Sequence, residues 1–263
     1  MRPGLLLLAH GTRSGSGLAA LRDLAASVAA ARPGLPLALG VLEFPAPSVP
    51  AVAVAAADLA ARGVTEIVLV PLLLFPAGHR AADLPRVAAG IRRAHPGVSL
   101  RVTPILGPSP QLRTLAVRRA REAMGAERPP DAVCVVGRGS SVARANGLLA
   151  HVVRDVGRCL GRPAAGAFVS LAEPGVPPAL GALVAAGHRR LLTVPFFLTE
   201  GRLVDRIERQ AAEFCRTARG VEVRCAAPLG PDAAVVAAVW RRAAAGGLDR
   251  PAGTVAGLRS GAA

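Results

Sequence analysis

The chain has 263 residues, 52% of them hydrophobic but only 3% aromatic, and a formal net charge of +15. All 32 of its basic residues are arginine, which excludes a Walker A phosphate loop and Schiff-base chemistry, since both need a lysine. The length suits two ordinary domains or one large one, and the charge reflects either genome composition or an anionic partner: nucleic acid, acidic lipid or a polycarboxylate small molecule. The arginines are scattered, and no basic run interleaved with aromatics looks like a nucleic-acid surface.

The opening segment "MRPGLLLLAHGTRS" has too short an apolar run for a secretory signal. Pro, Gly or charges interrupt every later run before the roughly 18 residues a membrane span requires. The expectation is a cytoplasmic protein that contacts no membrane. Periodicity predicts strands near Leu5–Ala9, Leu37–Leu42, Glu66–Leu72 and Ser99–Val102, with helices near Leu18–Ala31, Val49–Arg62, Leu84–Ala94 and Gln111–Met124. The segment "GAERPPDA", Gly125 to Ala132, is the expected domain boundary. Beyond it, strands recur near Val133–Val136, Ala167–Ser170, Leu191–Val194 and Val221–Arg224, with helices between them and a last one near Ala233–Ala244. This order implies parallel sheets covered by helices on both faces. The expected domains are 1–126 and 131–245, followed by a flexible tail, 246–263. Cys134, Cys159, Cys215 and Cys225 form no C-x-x-C pair and read as reduced, mostly buried thiols.

The halves repeat each other. "LLLLAHG" aligns with "VCVVGRG", placing Gly11 on Gly139. "EFPAPSVP" aligns with "SLAEPGVP", and "PLLLFPAGHR" with "PFFLTEGRLV", placing Pro47 on Pro174 and Pro71 on Pro195. Ordered matches with a slowly drifting offset indicate internal duplication. Three polar residues are exceptions: His10 faces Arg138, Glu43 faces Ser170 and His79 faces Leu203. Scaffold explains what the copies share, but not these differences.

Ligands of parallel α/β sheets bind beyond the carboxyl ends of the strands, and His10, Glu43 and His79 each follow a strand. Two imidazoles and a carboxylate can form an open site for Co²⁺, Fe²⁺, Ni²⁺ or Zn²⁺, and a neutral imidazole can accept a proton near neutrality. A competing motif, "GSGLAA" at Gly15 to Ala20, satisfies G-x-G-x-x-A, but it begins five residues after the strand ends at Ala9, whereas a dinucleotide fingerprint lies in the turn itself. His95, His151 and His188 are assigned to the surface.

"AHGTR", "LEFPAPS" and "PLLLFPAGHRAADLP" in the first half, with "VGRGSSVARAN" and "VPFFLTEGRLVDRI" in the second, resemble the class II, ATP-independent chelatases, specifically the two-domain sirohydrochlorin chelatases. The resemblance spans roughly Gly4 to Pro231. It implies two duplicated α/β domains, each a parallel four-stranded sheet flanked by helices, facing each other across a cleft that holds a tetrapyrrole. It implies His10 as metal ligand and proton acceptor, His79 as metal ligand and Glu43 as a contact to substrate or metal, with Leu74, Phe75, Pro76, Ala77 and Gly78 lining the macrocycle pocket. One departure is Thr12, where serine is more usual.

The expected reaction is insertion of Co²⁺ or Fe²⁺, with Ni²⁺ also conceivable, into sirohydrochlorin with release of two protons, for sirohaem or cobalamin synthesis. The metal is a substrate and no permanently bound cofactor is expected. Arg13 and Arg138 are expected to pair with the substrate's carboxylate arms. A monomer suffices, because two fused domains build the cleft between themselves. The alternatives are a carrier that holds tetrapyrrole or metal without turnover and, more distantly, a dinucleotide-binding oxidoreductase.

Overall fold

The structure is a computed structural model and describes residues 2–76, 83–125 and 128–248. In the first half, strands β1 (Pro3–Ala9), β2 (Leu37–Val41), β3 (Glu66–Pro71) and β4 (Ser99–Val102) alternate with helices α1 (Gly15–Ala30), α2 (Val52–Ala61), α3 (Asp83–Ala94) and α4 (Pro110–Met124). The second half carries β5 (Ala132–Gly137), β6 (Ala164–Phe168), β7 (Arg190–Pro195) and β8 (Glu222–Cys225). Its helices are α5 (Ala143–Gly147), α6 (Leu149–Leu160), α7 (Val176–Ala185), α8 (Arg202–Thr217) and α9 (Ala233–Ala245). The strands form two four-stranded sheets, ordered β2-β1-β3-β4 and β6-β5-β7-β8, and every pairing is parallel.

Three elements differ from the sequence expectation by about three residues at their start; helix α1 begins at Gly15, where Ser14 caps it, instead of at Leu18. Helix α2 starts at Val52 instead of Val49, because Ala46 and Val49 pair across a tight turn and the Pro50 carbonyl accepts from the Val41 N–H at 3.0 Å. Strand β6 runs over Ala164–Phe168, earlier than Ala167–Ser170. Its alanines and glycine carry little strand signal, and register with β5, Val133 on Ala164 through Gly137 on Phe168, decides its limits.

Successive side chains of a strand face opposite sides of the sheet, so each central strand feeds two cores. Leu6 and Leu8 pack outward with α2 and α3, and Cys134 and Val136 pack outward with α7 and α8. Leu5, Leu7, Val133 and Val135 turn inward, to a core shared by both lobes. Burial of Cys134 pushes its thiol up to about 12, which keeps it protonated and inert. All four cysteines are free, but only Cys134 is buried; Cys215 and Cys225 are half-buried and Cys159 is exposed, so the expectation of mostly buried thiols is corrected. Cys159 lies on the outward side of amphipathic α6, a position that needs no apolar side chain.

The shared core arises because the halves exchange their last helices. Helix α4, encoded after β4, packs on β7, β8 and α6, while α9, encoded after β8, packs on β3 and α1. Trp240 of α9 donates its indole N–H to the Val28 carbonyl of α1 at 3.2 Å, and Arg32 stacks on the same ring at 4.4 Å. At the other end, Arg113 of α4 pairs with Asp155 of α6 at 2.6 Å. Of the expected tail, Gly246–Leu248 are described and Leu248 is buried in the shared core, while 249–263 lie outside the described residues. No helix among the described residues is long and apolar enough to cross a membrane.

Candidate active site

With strand order β2-β1-β3-β4, the order reverses between β1 and β3, and the crevice at that switch point opens at the carboxyl ends of the strands. His10 follows β1 directly, and the Leu72–Pro76 segment follows β3. The second lobe repeats the arrangement with Arg138 after β5 and Phe196–Thr199 after β7. These segments face each other around a cavity of about 380 Å³, within the usual range for small-molecule pockets, roughly 300–1,000 Å³. Phe75 of the first lobe meets Phe196 of the second at 5.7 Å between ring centroids, tilted by 60°.

The loop after β1 is fixed by close backbone contact with the loop after β2. The Glu43 N–H donates to the His10 carbonyl at 2.9 Å. Gly11 has φ +97°, and a Cβ there would lie 1.8 Å from the Glu43 carbonyl oxygen, so only glycine fits. Thr12 Oγ1 then accepts from the Ser14 N–H at 3.1 Å, and Ser14 caps α1. The result brings the His10 imidazole and the Glu43 carboxylate together at 3.9 Å, with side chains 21% and 35% exposed. An imidazole on the wall of the cleft thus has a carboxyl group beside it. Arg13 lies over the Phe44 ring at 4.3 Å, at the exposed rim.

The second lobe copies the backbone and changes the chemistry. Gly139 has φ +87°, and its Cβ would lie 1.8 Å from the Ser170 carbonyl oxygen. The Ser170 N–H donates to the Arg138 carbonyl at 3.0 Å. Asn146 clamps the following turn: its Oδ1 accepts from the Ser140 N–H and its Nδ2 donates to the Ser140 carbonyl, both at 2.8 Å. In both lobes the residue after the glutamate or its serine counterpart is left-handed, Phe44 at φ +54° and Leu171 at φ +63°. That conformation costs a non-glycine residue roughly 1–2 kcal/mol.

Of the residues singled out from the sequence, His10, Leu74, Phe75, Pro76 and Arg138 line the cavity, and Glu43 stands beside His10. Ala77, Gly78 and His79 lie outside the described residues. Among the described residues no three His, Cys, Asp or Glu side chains converge as a metal site. The glycines of "GSGLAA" fall at the start of α1 and not in the turn after β1, and Gly17 packs against Thr12. Ser140, Asn146 and Leu171 were not singled out from the sequence; the repeat pairs Leu171 with Phe44 but carries neither the φ nor the exposure of either.

A family model described as CbiX matches residues 4–123 and again 132–245. The chain belongs to the CbiX family. A curated sirohydrochlorin cobaltochelatase of Priestia megaterium is 24% identical over 174 residues, which are 65% of this chain and 57% of that relative's length. The crystal structure of the sirohydrochlorin chelatase SirB from Bacillus subtilis subspecies spizizenii in complex with cobalt superposes with a TM-score of 0.75 at 18% identity, covering 94% of this chain and 95% of that one. SirB from Bacillus subtilis with Fe³⁺ gives the same TM-score at 20% identity, covering 94% and 96%. At these identities the superpositions establish a shared fold of two parallel sheets flanked by helices. Both CbiX matches in this chain coincide with a sheet, and His10 and Glu43 belong to the first.

Proposed function

We propose that the protein is a sirohydrochlorin chelatase, inserting a divalent metal into the tetrapyrrole within the cleft between its two lobes. The observation that carries this reading is the position of His10, beside Glu43 on one wall of an interlobe cavity whose opposite wall comes from a copy lacking both groups. CbiX family membership and the name of the Priestia relative support the substrate class.

Insertion breaks two pyrrolic N–H bonds and forms metal–nitrogen bonds, so charge balances as one M²⁺ enters and two protons leave. His10, as a neutral imidazole with one lone pair on its unprotonated nitrogen, is suited to hold the incoming ion and then, once the ion has passed to the ring, to accept a pyrrolic proton on the same nitrogen. Glu43 offsets positive charge on either the metal or the imidazolium. His79 completes the delivery site in this proposal, and a site with few protein ligands releases metal more readily than a closed cage. Leu74, Phe75 and Pro76, with Ala77 and Gly78, form the apolar seat of the macrocycle. Arg13 and Arg138 pair with carboxylate arms at the rim. Because one chain builds both walls, a monomer suffices.

The test is to mix purified protein, sirohydrochlorin and Co²⁺ or Fe²⁺ without oxygen and follow the absorbance change. A rate well above the uncatalysed one is expected, falling by about 100-fold or more in His10→Ala. Tight binding at the uncatalysed rate would replace this reading with that of a carrier. Running both metals in parallel decides which is preferred, since imidazole and carboxylate accept either.

A further inference from the structure

Among the described residues, Leu171 is the most exposed large hydrophobic side chain, at 66%, and it lines the interlobe cavity. It is also left-handed, at φ +63°. The conformation has a structural cause: the Ser170 N–H to Arg138 carbonyl bond and the tight approach of Gly139 to the Ser170 carbonyl fix this loop as they fix its counterpart at Phe44. That cause accounts for the backbone and leaves the side chain unexplained. Glycine or asparagine would adopt the same φ at lower cost, and a leucine left in solvent adds nothing to the fold.

The two copies have used the position differently. Phe44 is 38% exposed, lies under the Arg13 guanidinium and is not part of the cavity wall. In the second lobe the alignment puts Ser141 where Arg13 stands, and Leu171 projects to the cavity instead. The second lobe also gives the cavity the apolar side chains of Phe168, Phe197 and Leu203, beside polar ones such as Arg138 and Asn146. It therefore offers apolar surface to the same cavity that His10 lines.

We propose that Leu171 is a specificity-determining contact, an apolar plate that lies on the flat face of the macrocycle and holds it toward His10. The inference rests on the chelatase reading and names the surface of the second lobe that recognises that substrate. The left-handed backbone, held by the loop's own contacts, presents the side chain to the cavity in the free protein, as expected of strained residues at binding sites.

The experiment titrates sirohydrochlorin, followed by its absorbance, into the wild type, Leu171→Asn and Leu171→Met, with a thermal melt and steady-state kinetics for each. Asparagine tolerates the left-handed conformation but is polar; methionine keeps the apolar contact. The expected result is that Leu171→Asn melts at or above the wild-type temperature yet binds sirohydrochlorin about tenfold more weakly, with KM raised and kcat preserved. Leu171→Met should restore the affinity. Wild-type affinity in Leu171→Asn overturns the proposal, as does a weakened affinity accompanied by a lower melting temperature. A wild type that binds no sirohydrochlorin overturns the chelatase reading, and this inference with it, before any variant is compared.

Discussion

Gly11 and Gly139 make the loops after β1 and β5 possible, because a Cβ at either would overlap the carbonyl oxygen of Glu43 or Ser170. Gly11→Ala should cost more than about 2 kcal/mol in chemical denaturation, since backbone must move to admit it. Gly90→Ala, in helix α3 with open space around it, should instead add about 0.5–1 kcal/mol. Equal effects at the two positions would contradict the account of the loop. His10 and Glu43 were legible in the sequence because each breaks an otherwise faithful repeat. Leu171 was not, because exposure and a left-handed φ emerge only once the chain is folded. At the rim, Arg13→Ala should raise KM for sirohydrochlorin with little loss of kcat, as expected when an interaction made equally in ground and transition states is removed.

Strands β1, β3, β5 and β7 announce themselves as apolar runs because both of their faces are buried, whereas the Ala/Gly composition of β6 hid its start. Element edges also depend on charge. Asp131, just before β5, pairs with the Arg190 guanidinium and accepts from the Arg190 and Arg189 N–H groups at 3.0 and 3.2 Å, tying β5 to β7. The hydrogen bond from Arg190 holds the Asp131 carboxyl well below the usual carboxylate range. A carboxyl whose folded-state value is depressed stabilises the fold above its unfolded value of about 3.9, and that contribution is lost as pH falls below it. Asp131→Asn should therefore lower stability at pH 7 by about 1 kcal/mol, the pair being partly exposed. Thermal melts across pH should show the difference shrinking below about pH 4; a constant difference would mean that the ion pair is not its source.

Across the whole molecule, the exchange of α4 and α9 could not be read from the sequence, since both helices are amphipathic and follow their strands in the same order whichever sheet they cover. It has a mechanical consequence: each lobe is completed by a helix from the other half of the chain. Residues 1–126 expressed alone should leave bare the part of the inner face, over β3, that α9 covers, and show no cooperative melt, while the two halves together should recover one; a cooperative melt of the first half alone would contradict the shared core. That coupling keeps the two walls of the cleft in fixed apposition, which the proposed insertion requires if a metal held by the first lobe is to meet a ring seated between both. The most direct test of that arrangement is a cobalt-soaked crystal read by anomalous scattering. The account predicts one cobalt bonded at about 2.1 Å to a ring nitrogen of both His10 and His79, facing the second lobe; cobalt bound elsewhere, or the two imidazoles lying in separate regions, would contradict it.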